Sequence, residues 1–179
     1  MHFFKTFNDK IINHDLINKY QYKNIKKLPK IKRIILKFDG CGNFNIQKFA
    51  TTILALEIIA LKKSSITTSR VPNLSLKIIK GQPAGCRVIL QKRYCYKFLS
   101  KLIIEILPKL TDFSSIKDKI NKSVLSFQLL KKNIILKELD DKYPLFINLP
   151  NLNVQVLTTT KREKELLFVI KSIKYPYKK

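Results

Sequence analysis

The sequence predicts an α/β (α+β) domain with an antiparallel-rich mixed sheet and helices packed on one face of that sheet. Two stretches, residues 31–38 and 86–91, alternate in side-chain character as half-buried strands do. A third stretch, residues 95–106, repeats apolar side chains every three or four positions, which is the pattern of a helix packed by one stripe. These patterns predict one sheet face buried under helices and a second face open to water or a partner.

The chain has 179 residues, 45% of them hydrophobic, and is therefore long enough for a single domain, residues 1–179, with a substantial core. We expect three parts: an N-terminal helix with a basic linker in residues 1–27, an α/β core in residues 28–173, and a basic aromatic tail in residues 174–179. The tail is expected either to approach RNA or to fray.

The N-terminal helix is predicted over residues 9–20, because Ile12, Leu16 and Tyr20 recur at every fourth position. The linker that follows is rich in lysine. It is expected either to be a solvated segment or to face phosphates. Its lysines are Lys23, Lys26, Lys27 and Lys30.

The two predicted strands have matching faces. In the first strand, Ile34 and Leu36 fall on one side, and in the second strand Val88 and Leu90 do the same. These sides should lie under the helices. The opposite sides mix basic, polar and apolar residues: Arg33, Ile35 and Lys37 in the first strand, and Arg87, Ile89 and Gln91 in the second. If the strands share a sheet, these sides form one continuous surface on which RNA could dock.

Between these strands, the sequence predicts a helix over residues 46–61 and two short strands, residues 64–69 and 74–79. A loop with two glycines, residues 80–85, follows and could present backbone and cations to a phosphate, or form a plain hairpin tip. The core stripe of the helix is expected to hold Ile46, Phe49, Ile53, Leu56 and Ala60, widened by Leu54, Ile58 and Leu61. Such breadth predicts burial on more than one side.

The helix after the second strand should end near Pro108, because proline disfavours helical geometry in the preceding residue. Two further strands are predicted, at residues 124–130 and 154–158. Thr160 and Glu163 have the spacing of a capping box at the start of a last helix, which reaches about Ile173.

The charge of the chain is strongly unbalanced. Lys and Arg number 36 and Asp and Glu only 12, which gives a formal net charge of +24. So large an excess repels itself unless an anionic partner neutralises it, and RNA phosphates are a common partner of this kind. No membrane partner is expected, since the most apolar window, residues 49–61, is too short for the hydrocarbon layer and contains Glu57.

Metal and cofactor sites are not expected. The cysteines form no Cys-x-x-Cys pair, and His2 and His14 are the only histidines. Of Cys41, Cys86 and Cys95, the last two fall on apolar faces and are predicted to be small buried hydrophobic residues.

Four motifs lie along the chain in order: LPKIKRIILKFDGCG from residue 28, SSITTSR from residue 64, GQPAGCRVILQKRYCYKFLSKL from residue 81 with PKLTDF after it, and NVQVLTTTKREKELL from residue 153. On these motifs the chain resembles the L5 family of large-subunit ribosomal proteins over nearly its whole length. It departs from the family in residues 112–122, where relatives have a glycine-rich segment.

The resemblance implies a structural constituent of the large ribosomal subunit that binds 5S and/or large-subunit rRNA in the central protuberance, and it implies no catalysis. The implied partners also include neighbouring central-protuberance proteins, a small-subunit head protein across an intersubunit bridge, and peptidyl-site tRNA. The residues expected to bind RNA are Lys32, Arg33, Lys37, Lys62, Lys63, Arg70, Arg87, Gln91, Lys92 and Arg93. Those expected near tRNA are Lys77, Lys80, Gly81, Gln82 and Pro83.

Two alternatives compete with this function. A homing endonuclease is suggested by the apolar run that ends in Asp39-Gly40, but the run alternates as a strand, and the carboxylates show no converging spacing for metal chemistry. The second alternative is another kind of basic nucleic-acid-binding protein. The abundance of Lys, Ile and Asn indicates an AT-rich organellar genome. It predicts an organelle-encoded protein of the mitochondrial ribosome in the matrix, with a plastid as the alternative.

Overall fold

The computed structural model describes residues 3–22, 24–39, 46–72, 75, 78–109, 119–130, 139, 143–146, 149–173 and 175. Its strands are β1 (Ile31–Asp39), β2 (Ser65–Thr68), β3 (Pro83–Gln91), β4 (Lys119–Asn121), β5 (Val124–Leu129) and β6 (Leu152–Thr158). They form one sheet in the order β2-β3-β1-β6-β5-β4, and every neighbouring pair is antiparallel. The predicted α/β fold class with an antiparallel-rich sheet is confirmed.

The predicted helices are present, and two of them change their winding part-way. The N-terminal helical segment is α1 (Phe3–Phe7), a π-helical turn (Asn8–Ile12) and α2 (Asn13–Tyr20), followed by a short 3₁₀ turn (Ile25–Lys27). The others are α3 (Ile46–Ala60), α4 (Arg93–Lys101) with a π-helical turn (Leu102–Ile106) and a 3₁₀ turn (Leu107–Lys109), α5 (Tyr143–Phe146) and α6 (Glu163–Ser172). Pro108 lies in the closing 3₁₀ turn, so the helical segment ends where proline predicts it.

The core lies on one face of the sheet. Ile34, Leu36 and Leu90 are fully buried there, and Val88 is 1% exposed, as the alternation predicts. The neighbouring strands β5 and β6 add Phe127 and other apolar side chains to the same core, and α3, α4 and α6 cover it. A second small cluster, Ile12, Leu16, Leu28 and Val169, fastens the N-terminal helical segment to α6.

The burial predicted for α3 is wrong in part. Ile46, Leu54 and Leu61 are 71%, 52% and 55% exposed, so the helix is covered along one stripe and not on several sides. The buried residues of that stripe are Phe49, Thr52, Ala55, Leu56, Ile59 and Ala60. Thr52 fits because its hydroxyl donates to the carbonyl oxygen of Phe49 at 2.7 Å, which satisfies its polar group.

The predicted capping box at Thr160 is also wrong. Helix α6 begins at Glu163 with Arg162 as its N-cap, which makes no side-chain capping bond. Thr160 instead donates to the carbonyl oxygen of Lys122 at 3.0 Å and shares a hydrogen bond with the Thr158 hydroxyl. The hydroxyl therefore joins the end of β6 to the turn between β4 and β5.

The first residue of the tail's aromatic pair belongs to the core. Tyr175 is 7% exposed, and its ring lies 5.2 Å from that of Phe127, so this tyrosine is not available to stack on RNA. Residues 174 and 176–179 lie outside the described residues.

The described cysteines are buried hydrophobic residues, as predicted. The thiols of Cys86 and Cys95 donate to the carbonyl oxygens of Thr52 and Leu90. Burial raises the pKa of the Cys95 thiol above its ordinary value. Cys41 lies outside the described residues.

Candidate RNA-binding surface

The second face of the sheet carries the mixed side chains that the two alternating strands predict. We call it the open face. Its centre is formed by Arg33, Ile35 and Lys37 of β1 and Arg87, Ile89 and Gln91 of β3, and all six are exposed or half-buried. Strands β5 and β6 extend the surface with Ser126, Gln128, Asn153 and Gln155.

The antiparallel register arranges the central residues in three cross-strand pairs. Arg33 lies opposite Gln91, Ile35 opposite Ile89, and Lys37 opposite Arg87. Side chains paired in this way have Cβ atoms about 4.5–5.5 Å apart. The two strands thus share a sheet, which meets the condition for one continuous surface formed by their mixed sides.

The amides of β6 form a row beside β1. Asn153 lies opposite Lys37 and Gln155 opposite Ile35. The Asn153 amide donates to the Asp39 carboxylate at 2.6 Å, and with Lys37 and Lys119 these residues line a shallow depression in the open face. This row is not among the residues predicted to bind RNA, although Asn153 and Gln155 alternate with Val154 and Val156 as Lys37 does with Leu36.

Arg33 has an unmet hydrogen-bond donor. Its Nε atom is buried, and no hydrogen-bond partner for it is found in the part of the chain that the structure describes. A buried donor without an acceptor costs about 1–3 kcal/mol.

Lys62, one of the residues predicted to bind RNA, is hydrogen-bonded to strand β3. The Lys62 ammonium donates to the carbonyl oxygen of Ile89 at 2.9 Å, at a point of β3 beyond its pairing with β2. Lys63 is exposed beside it. Lys32 lies at the register shift between Ile31 and Arg33 and has the parity of the buried positions, so the structure does not bring it into the rows of the open face.

At the end of β3, the chain turns sharply into α4. Lys92 has φ 50° and ψ −117°, a conformation that costs a non-glycine residue on the order of 1–3 kcal/mol. Both Lys92 and Arg93 are exposed directly after Gln91, so they continue the basic surface around the end of the sheet.

Comparison with known proteins assigns the family. Residues 83–177 match the C-terminus of the ribosomal L5 family. Large ribosomal subunit protein uL5 of Nitrosomonas europaea is 30% identical over 170 residues, which cover 93% of each chain. Large ribosomal subunit protein uL5m of Reclinomonas americana is 31% identical over 177 residues, 98% of this chain and 97% of the relative. The uL5 protein of Desulforapulum autotrophicum is 31% identical over 177 residues, 97% of each chain.

The chain belongs to the ribosomal L5 family. It is therefore a structural protein of the large ribosomal subunit, and the family assignment excludes the alternative of a homing endonuclease. In the described ranges, no group of three His, Cys, Asp or Glu residues is placed to hold a metal ion. No described helix of this L5-family protein has the length and apolar character that crossing a bilayer requires.

The loop of this L5-family chain is shorter than the predicted residues 80–85, because β3 already begins at Pro83. Pro83 and Gly85 belong to β3, where Pro83 pairs with Thr68. Gly85 is required in the strand, because a side chain there would collide with the backbone carbonyl oxygen of Phe38. The proposed tRNA-proximal residue Pro83 is thus part of the sheet.

The described tip of this hairpin is held by its own hydrogen bonds. The amide of Ser69 donates to the carbonyl oxygen of Gln82, and the amide of Gly81 donates to that of Ser69. Gly81 has φ 86°, which glycine adopts without strain. Lys80 and Gly81 are exposed at the tip, whereas Lys77 lies outside the described residues.

Proposed function

We propose that the open face binds ribosomal RNA, either 5S or large-subunit rRNA or both, in the central protuberance of the large subunit. The observation that carries the proposal is the direct opposition of Lys37 and Arg87 on neighbouring strands. Like charges in this position destabilise a sheet, and a phosphate held between them would replace repulsion by attraction. The Asp39 carboxylate lines the same depression as Lys37, but the chain has only 12 Asp and Glu against 36 Lys and Arg.

The chemistry around this pair suits an RNA backbone. The guanidinium groups of Arg33 and Arg87 can each form two parallel hydrogen bonds with one phosphate. Ile35 and Ile89 lie between the two basic rows and offer an apolar patch to a ribose or base. Gln91 can both donate and accept, which suits a ribose 2′-hydroxyl.

The proposal assigns the remaining predicted residues to the rim of this contact. They are Lys32, Lys62, Lys63, Arg70, Lys92 and Arg93. We also propose that the hairpin tip approaches peptidyl-site tRNA, which is supported by the exposure of Arg70 and Lys80. Contacts with neighbouring central-protuberance proteins and a bridge to a small-subunit head protein are expected from the family resemblance.

We further propose that the protein works in a mitochondrial ribosome of the matrix, with a plastid ribosome as the alternative. The relative named uL5m supports this location, and so does the AT-rich residue usage. Bacterial relatives are equally similar, so similarity alone does not decide the compartment and an experiment must locate the protein. A tagged protein should sediment with mitochondrial large subunits, and recovery only in plastid ribosomes or outside any ribosome would contradict the proposal.

The RNA-binding proposal is tested by filter binding of the full chain to transcribed 5S rRNA over a series of salt concentrations. Lys37→Glu and Arg87→Glu should each weaken binding about tenfold and lower the slope of log affinity against log salt by about one. Lys10→Glu and Lys48→Glu make the same charge change at exposed positions of the helical layer and serve as matched controls.

The comparison of variants and controls decides the outcome. Equal losses in all four variants would mean that RNA responds only to net charge, and the open face would not be the binding surface. The same measurement with large-subunit rRNA fragments of the central protuberance then shows which RNA is the preferred partner.

A further inference from the structure

A second basic surface lies beyond the end of the sheet, between the N-terminal helical segment and α6. Four cations line it, together with Tyr22 and Glu165. The cations are Lys26, Lys27, Lys161 and Arg162, and all four are exposed. We call this surface the basic cleft.

The cleft is held together by hydrogen bonds between distant parts of the chain. Gln21 adopts a left-handed conformation that ends α2 and turns the chain back. The Lys30 amide donates to the Thr159 hydroxyl at 2.8 Å, and the Thr159 amide donates to the Lys30 carbonyl oxygen at 2.9 Å. These two bonds join the lysine-rich linker to the loop before α6, so the cations of both segments face one opening.

Aromatic packing fixes the other wall. The Tyr20 hydroxyl donates to the Lys164 carbonyl oxygen at 3.1 Å, and the Tyr20 ring lies edge-on to Phe168. The ring of Tyr22 lies 6.1 Å from that of Tyr20. The wall is therefore rigid enough to hold the Tyr22 phenol at a defined position in the cleft.

The Tyr22 hydroxyl is enclosed in the wall of the cleft beside the Glu165 carboxylate. Its oxygen is buried, and it makes no hydrogen bond of standard geometry within the described residues. Burial, and then the nearby Glu165 carboxylate, raises the pKa of Tyr22 to about 12. The phenol is thus protonated at neutral pH, and the Glu165 carboxylate is an acceptor beside it.

We propose that the basic cleft binds the phosphate backbone of a single RNA strand, with its four exposed cations neutralising phosphates. This inference rests on the proposed function only in taking RNA as the partner. Phosphate suits the site because it offers several acceptor oxygens and carries the charge that the cations need. The four cations lie on two short segments, residues 26–27 and 161–162, which suits a short stretch of one backbone strand.

Continuity with the open face favours RNA over an acidic protein. Leu157 pairs with Arg33 in the end row of the open face, and Thr159 in the cleft is two residues further along the same chain. Two strand residues span about 7 Å. An RNA held on the open face would therefore bring neighbouring backbone to the mouth of the cleft.

The test uses the full chain saturated with 5S rRNA and a fluorescent twelve-nucleotide oligouridylate as the probe of the cleft. The double variant Lys27→Glu with Lys161→Glu should bind the probe about tenfold more weakly than the matched double variant Lys10→Glu with Lys48→Glu. Its salt slope should fall by about 1.4, which is two single-strand phosphate contacts. Binding of 5S rRNA should change no more in the cleft variant than in the control.

A second variant separates the charge from the fold. Lys27→Arg with Lys161→Arg keeps both cations and should bind the probe within about twofold of the unchanged protein, with an unchanged thermal midpoint. Crosslinking of the probe, carrying 4-thiouridine, should label the segments around residues 20–27 and 159–165. Label confined to the sheet strands would overturn the proposal.

Other results of the binding test also decide whether the basic cleft binds RNA. Equal probe binding by the cleft and control double variants would overturn the cleft proposal and leave the open face untouched. A dodecaglutamate peptide that binds more tightly with the same variant dependence would mean an acidic protein partner, and binding of inorganic phosphate without the probe would mean a free anion.

Discussion

The two faces of the sheet differ in what determines their residues. On the inner face, Ile34, Leu36 and Phe38 are all fully buried, and each position is filled by an apolar side chain. On the open face of the same strand, Arg33, Ile35 and Lys37 differ from one another in charge and size. Packing alone accounts for the first set. The second set places like charges opposite each other at a cost in stability, and the proposed RNA partner would account for it.

The comparison predicts that the same truncation has unequal costs on the two faces. Leu36→Ala should lower the free energy of unfolding by about 2–5 kcal/mol, because it removes buried methyl groups and leaves a cavity. Ile35→Ala on the adjacent half-buried position should cost less than half as much. Urea unfolding of both variants measures the difference. Equal costs would mean that the open face is packed as tightly as the inner one.

Gly85→Ala should have the next largest effect, because the backbone of β1 lies too close to Gly85 to admit a side chain. Gly85→Ala forces a methyl group against the Phe38 carbonyl oxygen and should cost about 1–3 kcal/mol. Gly81→Ala, at the hairpin tip, meets open space and is the matched control, although its φ of 86° adds some strain. A larger loss in Gly81→Ala, measured by urea unfolding, would contradict the close approach at Gly85.

The buried Cys95 thiol of α4, behind the inner face, should make the free energy of unfolding depend on pH. The unfolded Cys95 thiol ionises around its ordinary pKa of 9.0, whereas burial raises the pKa in the fold. The buried, protonated thiol therefore makes its full contribution to the free energy of unfolding below pH 9. Above pH 9 this contribution is lost, and the free energy of unfolding falls by up to about 1.4 kcal/mol per pH unit. Urea unfolding of Cys95→Ala should show a shallower decline above pH 9, and an unchanged slope would exclude this thiol as the cause.

The inner face could be predicted from sequence because a period of two needs no knowledge of the partner strand. The alternation in β1 and β3 was sufficient to assign Leu36 and Val88 inward and Lys37 and Arg87 outward. The amide row of β6 was harder to predict. It joins the open face only because β6 pairs with β1 across more than a hundred residues, which local pattern does not reveal.

Helix α3 and Thr160 show two other limits. Apolar residues surround most of α3, so periodicity could not select the stripe that contains Thr52 and exposes Leu54. Thr160 matches a capping pattern locally, yet its hydroxyl bonds to Lys122, which is 38 residues away. In both cases a tertiary contact overrides a local preference, and the choice depends on the assembled sheet.

The smallest effect separates the two faces most clearly, because it has opposite signs for stability and binding. Lys37→Gln removes one charge from the opposed pair with Arg87 and keeps a polar side chain of similar length. We expect the free protein to gain about 0.2–1 kcal/mol of unfolding free energy at low salt, and the gain to shrink as salt screens the pair. The same variant should bind 5S rRNA more weakly. No inner-face substitution should show this combination, since there a change that weakens packing leaves no repulsion to relieve. If Lys37→Gln lowered stability at every salt concentration, Lys37 would be a packing residue, and the open face would be an extension of the core.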